Sequence, residues 1–271
     1  MTKVSTEALW RLAARLCAGV VALFLMLPLL VVVLFSFSER SYFSFPPTGF
    51  SLKWYGAAWQ SGLFLAPAAR SLALAVLATA LAAAFALPAA LGVRRMRPGV
   101  LRGVIEFACL SPLIVPALII GIALLYSLTR LRLIDTFTGL LASHLLLVFP
   151  FMFRALLTSA VALRPSLLEA SEVLGASPAT TLRRVVLPAL VPGLVAGGIF
   201  SVIVSLDQFT VSLFVTQSEQ VVLPVALYKY LFDVNDPVAA AVSTVLVVFG
   251  LLAAVVIDRL GWLRHLAGSG A

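Results

Sequence analysis

The sequence predicts an all-α membrane protein with six transmembrane helices, and three observations support this fold class. Hydrophobic residues make up 62% of the chain and charged residues only 11%, which leaves too little polar surface to cover a soluble core. Six apolar runs reach the length of about 20 residues that a membrane-spanning helix needs. Arginines collect near the ends of these runs. We therefore expect a single transmembrane domain over residues 1–271.

The first three predicted spans cover residues 16–37, 71–93 and 104–128. Pro28 predicts a kink in the first span, because proline removes a hydrogen bond from a helix. The alanine-rich second span allows neighbouring helices to approach closely. A loop rich in aromatic residues separates these two spans, and we expect it at the membrane interface, with contact to a soluble partner as the alternative. The third span contains Pro112 and Pro116.

The last three predicted spans cover residues 137–157, 189–215 and 238–257. In the fourth, His144 is expected to form hydrogen bonds between helices rather than to bind a ligand. In the fifth, Gly193 and Gly197 are separated by three residues, a spacing that predicts close packing of two helices.

Six spans place both termini on the same side of the membrane. With this topology most of the 19 lysines and arginines lie on the side of the termini. Since basic residues favour the cytoplasmic side, both termini are expected in the cytoplasm of a bacterial cell, with the chain in its inner membrane. The basic residues expected on the opposite side are Arg40, Lys53, Arg70, Arg130, Arg132 and Lys229.

The charge distribution, the cysteine positions and the lack of a nucleotide-binding motif exclude several functions. The net charge is +8, but the arginines cluster at the ends of the apolar runs, as the positive-inside rule predicts, so the charge does not indicate a nucleic-acid partner. Cys17 and Cys109 lie in apolar segments and offer neither a disulfide framework nor metal-ligand spacing. None of the three lysines lies in a glycine-rich phosphate-binding loop, so the chain cannot hydrolyse ATP by that route. We expect no catalytic residue, no metal and no cofactor in this chain.

A polar interval, residues 164–188, separates the fourth and fifth spans and reads as two short helices. Ser166 and Glu169 form a capping-box pattern that predicts a helix start near Leu167. Gly175 suits the left-handed position that ends such a helix, and Ser177 before a proline predicts a second helix start. We expect a compact hairpin exposed to the cytoplasm.

Asp207 is the one acidic residue expected well inside a span, and an unpaired carboxylate there is costly. Two interpretations stay open: a binding or gating point for a polar, cationic solute, or a structural carboxylate paired with a neighbouring helix. Ser205, Gln208 and Thr210 add polar groups beside it, and Ser212 lies further along the same segment.

The hairpin resembles the EAA motif of binding-protein-dependent ABC importer permeases, which reads E-A-A-x3-G-x9-I-x-L-P. The matching positions are Glu169, Ala170, Ser171, Gly175, Val185, Leu187 and Pro188. Serine replaces the second alanine, and valine replaces isoleucine. The resemblance implies the type I ABC importer permease fold, in which this segment is the coupling helix that contacts the ATPase.

Nearly the whole chain resembles the spermidine/putrescine permease subfamily. The segment SLDQFTVSLFVT looks like the fifth span of that subfamily, which usually carries two adjacent acids; Asp207 matches the first, but Gln208 replaces the second. This difference weakens a dication as the solute and keeps aminoalkylphosphonates, amino-acid derivatives and opines as alternatives.

The resemblance also implies partners. A second permease subunit, favoured to be a different chain, would complete the pathway through the lipid bilayer, and a periplasmic binding protein would deliver the solute. A cytoplasmic ABC ATPase dimer would bind ATP and Mg. An autonomous ion-coupled transporter and an integral-membrane enzyme are the rival classes; both would need further polar groups at membrane depth.

Overall fold

The computed structural model describes residues 3–42, 49–234 and 236–268 of the chain. Every regular element in these ranges is helical, as the composition predicts. Three of the basic residues behind the predicted charge bias have side chains outside the described residues: Lys3, Arg259 and Arg264. Residues 43–48 of the aromatic loop lie entirely outside the described residues.

The helices follow one another through short connections, with a 3-10 turn at Ser111–Leu113 and a π turn at Leu182–Val186. In chain order they are α1 (Lys3–Ser36), α2 (Lys53–Ser61), α3 (Leu65–Arg95), α4 (Val100–Leu110), α5 (Ala117–Arg130), α6 (Phe137–Ala162), α7 (Pro165–Val173), α8 (Pro178–Thr181), α9 (Leu187–Asp207), α10 (Thr210–Val215), α11 (Leu223–Asp233) and α12 (Val238–Gly268).

The chain divides into two compact units, and the first comprises Met1–Phe64 with Leu227–Ala271. In this unit α1 and α2 both pack against α12. Trp54 fastens α2 to the end of α1, since its indole N–H donates to the carbonyl oxygen of Ser38 at 2.6 Å. The hydroxyls of Ser36 and Tyr55 lie 2.8 Å apart beside this bond. These aromatic side chains therefore contact the chain itself, while the interfacial position of the loop stays a prediction.

The second unit, Leu65–Ala226, is built on three helices, α3, α6 and α9, that pack against one another. A fully buried alanine stripe runs along α3 at every fourth residue: Ala78, Ala82, Ala86 and Ala90. Gly193 and Gly197 line α9 where it meets α6. A Cβ atom at Gly193 would lie 2.6 Å from the carbonyl oxygen of Ala155. The predicted close packing at these glycines is confirmed.

Within the described residues, four helices are long and apolar enough to cross a membrane: Leu9–Ser36, Leu65–Arg95, Phe137–Ala162 and Pro178–Asp207. A fifth span is counted if the bent pair Val100–Leu113 and Ala117–Arg130 crosses as one. The apolar part of α12, Val238–Leu252, is shorter. The predicted count of six therefore stays a prediction.

Two predicted spans are not continuous helices. The third bends by 95° between its halves. Pro116 precedes α5 in an extended conformation, with φ −55° and ψ 135°, and proline cannot donate the hydrogen bond that would continue the helix. The fifth stops at Asp207 and resumes at Thr210. Hydropathy detects apolar length but carries no information on such breaks.

Candidate functional site

The hairpin that was predicted between the fourth and fifth spans consists of α7 and α8, but α7 begins earlier than expected. Arg164 is its N-cap and makes no side-chain capping bond, and Pro165 is its first residue. Ser166 therefore lies inside the first turn, and the predicted capping box with Glu169 is wrong. Proline at the first helical position has the φ angle that a helix needs, which explains the earlier start.

The end of α7 is a left-handed turn at Gly175, as predicted, with φ +71°. The N–H of Gly175 donates to the carbonyl of Glu172 at 2.9 Å, and the N–H of Ala176 donates to that of Ser171 at 3.0 Å. This pair of bonds is a complete Schellman motif. Two apolar side chains project at the turn, Val173 with 88% and Leu174 with 85% of their surface exposed.

Two hydroxyl groups tie the hairpin together. Ser171 donates to the carbonyl of Leu168 at 2.9 Å, so its oxygen accepts from the hydroxyl of Thr181, 3.0 Å away on α8. Ser177 caps α8 by accepting the N–H of Thr180, which confirms the predicted second helix start. Ser171 is buried, whereas Glu169 and Ala170 on the same helix are exposed.

The helix that follows contains a π turn at Leu182–Val186, which the sequence did not predict. The N–H of Leu187 donates to the carbonyl of Leu182, five residues earlier. Pro188 comes next and has no N–H, so the regular ladder of hydrogen bonds cannot continue through it. Leu187 is half-buried and Pro188 is exposed. The run Pro178–Asp207 nevertheless remains one helix of 30 residues that links the hairpin to Asp207.

The predicted polar site at Asp207 lies at a break in the helix. Gln208 has φ −72° and ψ 84°, and the N–H of Phe209 donates to the carbonyl of Asp207 at 2.7 Å, which is an inverse γ-turn. Asp207 is exposed, and no hydrogen bond or ion pair reaches its carboxylate from the part of the chain that the structure describes. Gln208 and Thr210 are half-buried beside it.

Ser205 and Ser212 are buried and bind His144, so the structure does not bring them to the side chain of Asp207. The two ring nitrogens of His144 lie 2.8 Å from the Ser205 hydroxyl and 3.1 Å from that of Ser212. His144 belongs to α6 and is 1% exposed. The prediction of a hydrogen-bonding histidine between helices is confirmed.

A further charged group, Asp135, was missed by the sequence reasoning. Its carboxylate accepts the backbone N–H groups of four consecutive residues, 217–220, at 3.0–3.1 Å. Burial raises the pKa of Asp135, but the four N–H donors outweigh burial and lower the pKa to about 2. The left-handed backbone of Asp135, with φ +53°, aims the carboxylate at the loop after α10. The sequence signal that could have identified this residue is an acidic side chain directly before Thr136, the N-cap of α6.

Two neighbouring bonds hold the same loop against α3. Arg70 donates to the carbonyl oxygen of Val221 at 2.6 Å, and the hydroxyl of Ser71 accepts the N–H of Leu223 at 2.9 Å. With Asp135, these side chains form what we call the loop clamp. Among the described residues, no group of three or more His, Cys, Asp or Glu side chains could hold a metal ion.

Apolar helices of spanning length, with an exposed hairpin between two of them, are the features of a multi-pass membrane protein. Comparison with known proteins identifies the family to which this membrane protein belongs. Residues 82–261 match the family described as binding-protein-dependent transport system inner membrane component, and the chain belongs to this family.

Two relatives and one solved structure illustrate the range of the similarity. The spermidine/putrescine transport system permease protein PotC of Escherichia coli (strain K12) is 30% identical over 232 residues, covering 84% of this chain and 86% of that protein. PhnV of Salmonella typhi, whose name assigns it as a permease to a 2-aminoethylphosphonate transport system, is 27% identical over 264 residues, with 93% and 97% covered. The crystal structure of a bacterial ABC transporter involved in the import of the acidic polysaccharide alginate contains a chain with TM-score 0.75 and 17% identity, with 94% of this chain and 97% of that chain covered.

These findings confirm the resemblance on which the prediction was based. The chain is an ABC importer permease and an inner-membrane component of a system that works with an ATPase and a solute-binding protein. Its family consists of transport components, so the prediction of a transport subunit rather than an enzyme is confirmed. The all-helical fold agrees with that of the alginate importer chain.

Proposed function

We propose that this permease carries a small polar, amine-like solute, a polyamine or a related compound, inward across the bacterial inner membrane. An aminoalkylphosphonate, an amino-acid derivative or an opine is the alternative solute for the same machinery. Six spans form the pathway together with a second, different permease chain, and both termini lie in the cytoplasm. A separate ATPase dimer binds ATP and Mg, and a periplasmic binding protein delivers the solute.

The observation that carries this proposal is the continuous helix from the hairpin to the break. Pro178–Asp207 spans 30 residues. At 1.5 Å per residue this run is about 45 Å long, enough to reach across the hydrocarbon core. A displacement of the hairpin is therefore transmitted directly to Asp207. Such a direct connection is what a coupling helix requires.

The surface of the hairpin supports contact with a cytoplasmic partner. Val173 and Leu174 project at the turn, and exposed apolar side chains in a cluster are typical of protein interfaces. Glu169 and Ala170 are exposed beside them. In the proposed cycle, closure of the ATPases draws two such hairpins together, and the spans then open outward. The energy comes from the different affinity of the ATPase for ATP in the two states.

The environment of Asp207 supports a cationic group on the solute. Its carboxylate lies at the C-terminal end of a long helix, where the unpaired carbonyl groups add negative potential. The side chain is exposed in this chain, so it is available to a pathway formed with the second subunit. Gln208 and Thr210 contribute neutral hydrogen-bonding groups beside the charge.

A charge-reversal pair tests the coupling role in the complete importer, reconstituted in liposomes with its ATPase and binding protein. Glu169→Arg is expected to abolish transport while ATP hydrolysis and the amount of inserted complex are retained. Glu172→Arg is the matched control, since it makes the same charge change on the same short helix at a position that the motif leaves unspecified. Equal loss of transport in both variants would contradict a specific coupling contact, and loss of insertion would leave Glu169 only a structural role.

A second pair tests the solute. Asp207→Asn is expected to raise the half-saturating concentration of radiolabelled spermidine by about tenfold, the effect of losing roughly 1.4 kcal/mol. Gln208→Glu recreates two adjacent acids and is expected to favour spermidine over 2-aminoethylphosphonate. Unchanged transport in both variants would show that Asp207 does not bind the solute and would favour its structural interpretation. Transport by the purified chain alone would instead support an autonomous transporter.

A further inference from the structure

We propose that His144 is a positioning residue that holds the α9–α10 break open and thereby sets the direction of Asp207 and Gln208. This inference rests on the proposed function, in which these two residues face the solute. His144 itself does not touch the pathway: it is 1% exposed in the interior of the second unit.

The ring of His144 bridges the two sides of the break. Nδ1 lies 2.8 Å from the hydroxyl of Ser205, in the last turn of α9, and Nε2 lies 3.1 Å from that of Ser212, in α10. A single rigid ring on α6 therefore contacts both helices that flank the interruption.

The donors and acceptors of this bridge can be assigned from one further contact. The hydroxyl of Ser212 lies 2.6 Å from the carbonyl oxygen of Gln208, which can only accept. A serine hydroxyl has one hydrogen, so the oxygen of Ser212 must accept from Nε2–H of His144. Nδ1 is then the bare nitrogen and accepts the hydrogen of Ser205. The resulting relay runs from Ser205 through His144 and Ser212 to the Gln208 carbonyl.

The relay stabilises a conformation that a helix would not otherwise adopt. Gln208 has ψ 84°, far from the value of about −42° in an α-helix. Its carbonyl oxygen accepts the hydroxyl of Ser212, and the imidazole ring ties that serine to Ser205 on the other side of the break. Without the ring, the Ser212 oxygen no longer accepts a hydrogen bond from His144. The free-energy cost of straightening the break therefore falls. Straightening at Gln208 would turn the Asp207 carboxylate and the Gln208 amide away from their present directions.

Site-directed labelling tests this positioning without any solute. Asp207→Cys is introduced into a chain with Cys17→Ala and Cys109→Ala, assembled in the complete importer, and its rate of reaction with a water-soluble maleimide is measured. His144→Phe removes both hydrogen bonds of the ring and is expected to change that rate by about tenfold. Ser177→Cys, on the distant hairpin, is the control position and should react at an unchanged rate. Equal labelling of Asp207→Cys with and without His144→Phe would overturn the proposal.

Two further measurements separate positioning from simple packing. His144→Gln retains an N–H near the place of Nε2 and is expected to restore the labelling rate, whereas His144→Leu, which is only apolar, should not. If His144→Phe fails to assemble, ¹⁵N spectra still decide when only this chain is histidine-labelled and carries His265→Gln, because His144 is then the only labelled histidine in the importer. A bare Nδ1 and a protonated Nε2 support the relay, and the reverse tautomer refutes it.

Measurements of spermidine uptake distinguish failure of this inference from failure of the proposed function. In spermidine uptake, His144→Phe is expected to raise the half-saturating concentration about tenfold alone, but to add nothing to Asp207→Asn, because both act through one carboxylate. Additive effects would overturn the positioning role. If the unmodified importer moves no spermidine, the proposed solute is wrong, while the labelling result still decides the role of His144.

Discussion

The contact between α6 and α9 provides a sharp test of the packing described above, through the substitution Gly193→Ala. The added Cβ atom would lie 2.6 Å from the carbonyl oxygen of Ala155 and 2.9 Å from Cβ of Ser159. The nearby hydroxyl of Ser159 can rotate away, but the backbone carbonyl cannot. The two helices must therefore move apart, and they lose contacts along their whole interface.

Gly198→Ala is the matched control, because it lies on the same helix and its Cβ would meet only Cγ2 of Thr79 at 3.9 Å. Alanine in place of glycine stabilises a helix by about 1 kcal/mol, and this gain is common to both variants. Overpacking costs about 1–3 kcal/mol and applies only at Gly193. The free energies of unfolding of the two variants should thus differ by about 1–3 kcal/mol, with Gly193→Ala the less stable.

Thermal unfolding in detergent, followed by loss of the monodisperse peak in size-exclusion chromatography, measures the difference. At roughly 3 °C per kcal/mol for a chain of this size, we expect the midpoint of Gly193→Ala to lie on the order of 3–9 °C below that of Gly198→Ala. Equal midpoints would show that the helices do not approach as closely as the structure places them. A higher midpoint for Gly193→Ala would refute the argument outright.

Two other predictions concern the loop clamp and the hairpin. Asp135→Asn should destabilise residues 217–220 by about 2 kcal/mol, seen as faster amide hydrogen exchange, since it weakens four bonds to a charged acceptor. Because the pKa of Asp135 is lowered to about 2, its stabilising effect is complete above about pH 4 and is lost as the pH falls towards 2; equal acid sensitivity of the Asn variant would contradict this account. Ser177→Ala should cost about 1 kcal/mol and increase exchange at the Thr180 amide, whereas Ser177→Asp should not; unchanged exchange in Ser177→Ala would exclude a capping role.

The features that could be predicted from the sequence are those that local chemistry or the bilayer determines. Apolar length predicted helices at residues 71–93 and 137–157, since a helix satisfies its own backbone groups in lipid. The left-handed Gly175 and the cap at Ser177 depend on neighbours within a few residues. The capping box at Ser166 failed for an equally local reason, the proline before it.

Other features escaped prediction because they depend on contacts between distant parts of the chain. Asp135 binds N–H groups 82–85 residues away, and no local pattern identifies such partners. His144 was expected to pair between helices, but its serines lie 61 and 68 residues further on. The break at Gln208 is stabilised by this distant ring as well as by its own neighbours, so hydropathy alone predicted an unbroken span.

The π turn at Leu182–Val186 has a consequence for the orientation of the hairpin around the axis of α9. A π turn takes up about one residue more than an α turn, and each residue of an α-helix rotates the chain by roughly 100°. The π turn thus accommodates one extra residue while the direction of Glu169 about that axis stays close to that of a regular α-helix. Removing one residue at the π turn would therefore convert it to an α turn with little rotation of the hairpin, whereas removing one residue from the regular turns of α9 would rotate the hairpin by roughly 100°.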